Sequence, residues 1–319
     1  MSDTIVKTKD LCIDFKIKKN MFRAVNNVSL SLEKGKTLVI LGESGSGKST
    51  YMKALLRILP SNAKVYGQAE FLGEELLSKT EKQFRDIRGN QMAMIYQDSL
   101  SALDPMYKVG YQIVETIRAH TGLSVQQAKE RVEELFVKVG IPSPKERMNA
   151  YPHELSGGMR QRAVIAMALC CNPQLLLADE PTTALDVTIQ KQILNLFLEL
   201  QEKDSMSIMM VTHDIGVAAQ VADTIAIMYG GTIMEYGDTA QVLEHPANPY
   251  TRALIEALPK SGNKDRLVAI EGQPPTIVHM PPGCPFSNRC AYATDACRAS
   301  VPALQPIDTS HMTACHQKF

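Results

Sequence analysis

The stretch TLVILGESGSGKST, residues 37 to 50, restricts the possible folds more than any other part of the chain. Leu38 to Leu41 is a short unbroken apolar run, as expected of a strand buried on both faces. It runs into Gly42-x4-Gly47-Lys48-Ser49, the P-loop pattern. Glycines let such a loop turn tightly and aim successive backbone N–H groups at phosphate oxygens. Gly42, Ser44, Gly45, Ser46, Gly47, Lys48, Ser49 and Thr50 are therefore the candidate nucleotide-binding residues. Lys48 supplies a point charge for the β- and γ-phosphates, and Ser49 a hydroxyl for Mg²⁺. The segment KSTYMKALLRIL that follows places Met52, Leu55, Leu56 and Leu59 at helical spacing. It predicts an amphipathic helix running to Pro60, with its N-terminus toward the anion.

A second apolar run, Leu175 to Ala178, ends in Asp179-Glu180. An aspartate at the end of a buried strand in a P-loop chain suits the Mg²⁺ shell, with Asp179 joining Ser49. Glu180 is placed to accept a proton from an attacking water, against the plainer reading of a solvated loop carboxylate. Between the two motifs lies YPHELSGGMRQRAVIAMALCCNP, residues 151 to 173. Ser156 is a helix-cap residue type, and Gly157 and Gly158 leave backbone N–H groups open at the helix start, which makes a second anion site.

With LSGGMRQR on the page, the chain resembles the ABC ATPases, and the match extends over residues 1 to 258. The resemblance implies an α/β fold: a RecA-like P-loop core, an α-helical subdomain at about 80 to 155, and a C-terminal cysteine-rich extension over 259 to 319. It makes Ser156, Gly157, Gly158 and Gln161 the signature that serves a partner's ATP. It makes Gln97 the Q-loop residue near Mg²⁺, Asp186 the D-loop residue, His213 the switch histidine and Phe15 the aromatic that stacks on adenine, with Phe22 the alternative. The segments YQDSLSALDPMYKVGYQI, LDVTIQKQILNLF and HPANPYTRALIEALP are similar to the D-type ATPase subunit of dipeptide and oligopeptide permeases. That implies ATP and Mg²⁺ as ligands, and peptide as cargo. It implies a second ATPase of related F-type in a heterodimer, two transmembrane permease subunits and an extracytoplasmic substrate-binding protein. Nickel chelates or glutathione are alternative cargoes. A soluble ABC ATPase acting on nucleic acid or the ribosome ranks well below, because the chain has a single P-loop and one short helical insert.

Composition agrees with this expectation. Lysine plus arginine and aspartate plus glutamate both number 34, which argues against a general nucleic-acid binder. The charged N-terminal segment lacks the apolar core of a signal peptide, and no run approaches the roughly 18 apolar residues of a membrane span. A peripheral place on the cytoplasmic face of the membrane, reached through partners, is the expectation.

The tail raises a separate question. Eight of the chain's 17 prolines and four of its seven cysteines fall after residue 258, so little regular structure is expected there and a staple is needed. Cys284, Cys290, Cys297 and Cys315 are spaced C-x5-C-x6-C-x17-C. That spacing leaves three readings open: free buried thiols, zinc with help from His311 or His316, and an iron–sulfur cluster. The resemblance to the permease ATPases favours a [4Fe–4S] cluster on the four thiolates, with a structural role.

Overall fold

The computed structural model describes residues 3–98, 102–183, 185–258 and 270–317. The order begins β1 (Thr4–Ile17), β2 (Asn20–Val28), β3 (Ser31–Glu33), β4 (Thr37–Leu41), α1 (Lys48–Leu55), β5 (Ala63–Phe71), β6 (Glu74–Glu75), α2 (Glu81–Arg85), β7 (Met92–Ile95), α3 (Val109–His120), α4 (Val125–Lys138) and α5 (Pro144–Arg147). It continues α6 (Gly157–Leu169), β8 (Leu175–Asp179), α7 (Val187–Asp204), β9 (Ser207–Thr212), α8 (Ile215–Val221), β10 (Thr224–Tyr229), β11 (Thr232–Asp238), α9 (Thr239–Glu244), α10 (Pro249–Glu256), α11 (Asp295–Ala299), β12 (Gln305–Asp308) and β13 (His311–Thr313). Two compact units result. One, the P-loop unit, gathers Val6–Leu32, Thr37–Leu77 and Val211–Phe319; the other, the helical unit, gathers Met1–Ile5, Glu33–Lys36 and Ser78–Met210.

In the P-loop unit, β1 and β2 form a hairpin in which Phe15 lies opposite Phe22. β5 pairs with the other edge of β1 and carries β6 beyond it. A second layer has the order β12-β13-β11-β10-β4. β10 runs parallel to β4, with Thr224 opposite Leu38 and Ile227 opposite Leu41. All five β4 residues are buried, which is what an unbroken apolar run requires. The P-loop helix stops at Leu55, before the expected Pro60, because Arg57 takes a left-handed φ of 53° that no helix continues through.

The tail builds more than its prolines suggest. β13 pairs antiparallel with β11, setting Glu235 opposite Thr313 and Gly237 opposite His311. β12 covers β13, and its Pro306 sits on an exposed edge strand, where a missing N–H costs least.

In the helical unit, β7 and β8 are parallel, pairing Met92 with Leu175 and Ile95 with Ala178, and β9 lies next to β8. α4 starts at a capping box: the Ser124 hydroxyl accepts from Gln127 N and Gln127 Oε1 accepts from Ser124 N. Ala128, Val132, Leu135 and Phe136 bury one face of α4, each large side chain contributing roughly 1.5–3 kcal/mol. Gly140 follows with a φ of 72° and stops the helix.

Candidate nucleotide site

The phosphate-loop geometry is present between β4 and α1. A Cβ on Gly42 would lie 2.1 Å from the Met228 carbonyl oxygen, so only glycine fits. Gly47, at φ 101°, is the N-cap of α1, and no side chain competes for the open N–H groups there. Ser44 and Gly45 are exposed at the loop crest, and nothing lies within 4 Å of a Cβ on Gly45. Lys48 is buried, and its Nζ donates to Gly42 O at 2.7 Å and Glu43 O at 2.8 Å, with Ser46 Oγ at 3.4 Å. The ammonium therefore holds the loop closed around itself. Ser46 is buried, while Ser49 and Thr50 are half-buried at the helix start. Phe15 and Phe22, the two adenine-stacking candidates, are cross-strand partners on the hairpin, both half-buried.

The same unit holds His213, exposed directly after β9. Asp214 beside it caps α8, its Oδ1 accepting from Gly216 N at 2.7 Å and Val217 N at 3.2 Å.

The helical unit carries the acidic pair. Asp179 ends β8 and is buried at 3% exposure. Glu180 follows at φ 47°, a left-handed conformation that costs a non-glycine residue energy and often marks a functional turn. Its Oε2 accepts from Gln97 Nε2 at 3.0 Å and from Thr183 Oγ1 at 2.9 Å. Strand β7 ends at Ile95, so Gln97 sits in the loop two residues beyond it. Thr183 did not stand out in the sequence; its i, i+3 spacing from Glu180 was the available signal.

Ser156 is the N-cap of α6, its hydroxyl accepting from Met159 N at 3.3 Å. A Cβ at Gly157 would meet nothing, and one at Gly158 would press on Ile189 at 3.1 Å. Asp186 caps α7 in the same way, accepting from Ile189 N at 2.9 Å. Ser156, Gly157, Gly158 and Asp186 line one cavity of about 450 Å³. Gln161 is buried and donates to Pro181 O at 2.8 Å, so it braces the turn after Glu180 and does not face that cavity. Of the D-loop run 183 to 186, residue 184 lies outside the described residues, as do 99–101 of the loop after Gln97 and 259–269 at the start of the tail.

The expected metal site in the tail is corrected by the structure. Among the described residues, no group of three or more histidine, cysteine, aspartate or glutamate side chains is arranged to hold a metal ion. Cys284, Cys290, Cys297 and Cys315 are free and line a common cavity of about 20 Å³, scarcely more than the roughly 10–15 Å³ a cavity needs to admit one water. Burial pushes the Cys284 thiol up to about 11 and raises those of Cys290 and Cys315. The zinc alternative meets the same objection. His311 Nε2 pairs with Glu235 Oε1 at 2.6 Å, and His316 Nε2 lies 3.0 Å from Ser300 O. The tail is held instead by polar contacts and packing. Asn248 Nδ2 donates to Met234 O and Ala314 O, both at 3.0 Å, and Phe286 packs edge-on against Tyr229.

Against known proteins, residues 25–183 match the family model "ABC transporter", and residues 234–297 match "Oligopeptide/dipeptide transporter, C-terminal region". The oligopeptide transport ATP-binding protein OppD of Haemophilus influenzae is 44% identical over 98% of this chain and 96% of its own length. The chain belongs to the ABC transporter ATP-binding family. Within this family, the dipeptide transport ATP-binding protein DppD of Escherichia coli is 43% identical over 98% of this chain and 96% of its own. OppD of Bacillus subtilis is 44% identical over 96% and 87%. Among solved structures, a dimeric ATP-binding cassette in a post-hydrolysis state bound to ADP and Pi is similar, with a TM-score of 0.67 and 27% identity over 74% of this chain and 99% of that one. The family fold is thus a P-loop ATPase of α/β type. No helix among the described residues is long and apolar enough to cross a membrane.

Proposed function

We propose that this chain is the ATP-hydrolysing subunit of an ABC importer of di- and oligopeptides. The observation that carries this reading is the joint likeness: 44% identity to an oligopeptide transport ATPase over nearly the full chain, with a closed P-loop around Lys48. In this reading residues 1–258 are the ATPase domain, with its helical subdomain at about 80–155, and 259–319 are the cysteine-rich extension.

The chemistry follows from the side chains present. The P-loop backbone and Lys48 bind the phosphates, and the positive end of α1 favours their charge. Phe15 packs on the base. Ser49, Asp179 and Gln97 offer the oxygen ligands that Mg²⁺ prefers, and the buried Asp179 carboxylate fits a divalent ion. When bound, Mg²⁺ neutralises phosphate charge. Glu180 accepts the proton of the attacking water, aimed by the amide of Gln97 and the hydroxyl of Thr183. His213 contacts the γ-phosphate end.

Ser156, Gly157 and Gly158 bind the nucleotide held by a second ATPase, and Asp186, on the same cavity wall, relays between the two. That partner is read as a related F-type chain. Binding closes the pair and hydrolysis opens it, a differential-affinity switch that drives two permease subunits fed by a binding protein. The chain then lies peripherally on the cytoplasmic face of the membrane. The test is uptake of a labelled dipeptide by proteoliposomes holding the assembled transporter. Accumulation that needs ATP is expected; ATP hydrolysis that no peptide stimulates, with no uptake, would refute the cargo.

A further inference from the structure

The second residue of the P-loop is an acid, and this is electrostatically awkward. Glu43 stands between Gly42 and Ser44, where a carboxylate would repel the phosphates the loop is shaped to bind. It is matched from the far end of the chain. Arg289 Nη1 lies 2.8 Å from Glu43 Oε2 and 3.1 Å from Oε1. The arginine side chain is only 6% exposed and that of Glu43 23%.

The guanidinium is held from every side. Nη1 also donates to the Tyr229 hydroxyl at 3.0 Å, Nε to Glu271 O at 2.9 Å and Nη2 to Ile270 O at 3.1 Å. Its carbon sits 5.7 Å from the Tyr229 ring centroid. Glu43 is pinned as well: its backbone N donates to the Tyr250 hydroxyl at 3.1 Å, and its carbonyl accepts from Lys48. A surface arginine would lose several rotamers to reach such a pair, but this one is already fixed by backbone carbonyls, so the ion pair forms at little added entropy.

We propose that Arg289 is a positioning and charge-neutralising residue for nucleotide binding, supplied to the P-loop by the C-terminal region. Its Nη1 bridges Glu43 and the Tyr229 hydroxyl and cancels the carboxylate charge, so that the loop presents N–H groups and Lys48 to the phosphates. The C-terminal region thereby acts on ATP affinity without touching ATP. This rests on the reading of the P-loop as the ATP site.

The test is equilibrium binding of the non-hydrolysable nucleotide AMP-PNP with Mg²⁺ to the full chain, at low and high ionic strength. Arg289→Gln leaves a net negative charge at the loop and is expected to weaken binding about five- to tenfold at low salt, less at high salt. Arg289→Lys keeps the charge but not the planar fork that reaches Glu43, Tyr229 and the two carbonyls, so its affinity is expected between those of Arg289→Gln and wild type. In the double variant Glu43→Gln with Arg289→Gln the repulsion is gone, and affinity returns to within about twofold of wild type. Glu43→Gln alone, which also serves if Arg289→Gln fails to fold, binds at least as tightly as wild type. Arg289→Gln with wild-type affinity would overturn the inference. So would a double variant as weak as Arg289→Gln, or weakened binding in Glu43→Gln, because a purely structural brace is not rescued by removing a charge. A wild-type chain that binds no nucleotide would overturn the ATP reading itself, and the inference with it.

Discussion

Gln97 and Glu180 stand 83 positions apart in the chain, and the Gln97 side-chain amide donates to Glu180 Oε2 at 3.0 Å. The contact ties the loop after β7 to the turn after β8. It fixes one oxygen of the acid. Glu180→Gln keeps the side-chain shape and removes the carboxylate proposed as the base. Turnover should fall about 10²–10⁴-fold while nucleotide binding stays near wild type. Steady-state ATPase of the assembled transporter, with the partner's own site silenced, checks this.

Thr183 holds the same carboxylate oxygen from the other side at 2.9 Å. Thr183→Val preserves the shape and deletes the hydroxyl. The acid loses part of its aim, so kcat should drop by roughly three- to tenfold with KM little changed. An equal rise in KM alone would mean that Thr183 binds nucleotide and does not orient the acid.

At Gly42 the obstacle to substitution is the Met228 carbonyl, 2.1 Å from where a Cβ would go. Backbone gives way less readily than a side-chain tip. Gly42→Ala should cost on the order of 2–4 kcal/mol, read as a fall in the denaturant midpoint. Gly45→Ala, where nothing lies within 4 Å, should cost less, and its penalty comes from φ 80° alone.

Asn248 links the tail to β11 through two buried carbonyls, Met234 O and Ala314 O. Asn248→Ala leaves both without this donor. About 2–4 kcal/mol of local stability should be lost. Hydrogen exchange at Met234 to Tyr236 and at Met312 to Ala314 should accelerate first, ahead of β4.

Local features of this fold can be read in the sequence because they repeat at short spacing. The P-loop, the capping box at Ser124, the stop at Gly140 and the buried face of α4 each sit within one loop or one helix, where residue type sets backbone geometry. The contacts that set the chemistry are not local. Arg289 meets Glu43 across 246 positions, and no period in the sequence encodes such a meeting. The early end of α1 was hidden for a related reason: Arg57 is an ordinary helix former, and its left-handed turn is set by its surroundings. The four tail cysteines show the opposite failure. A count of thiols gives the donors for a metal but not their arrangement or the space between them, which packing decides.

The most direct check on the ATPase account is nucleotide binding by Lys48→Ala in the full chain, set beside its hydrolysis in the assembled transporter. Lys48 closes the loop and is the residue proposed to meet the phosphates, so its loss should weaken Mg²⁺–nucleotide binding by more than tenfold and stop peptide-stimulated turnover at this site. Wild-type affinity together with wild-type turnover in Lys48→Ala, with the partner's site silenced, would contradict the account at its base.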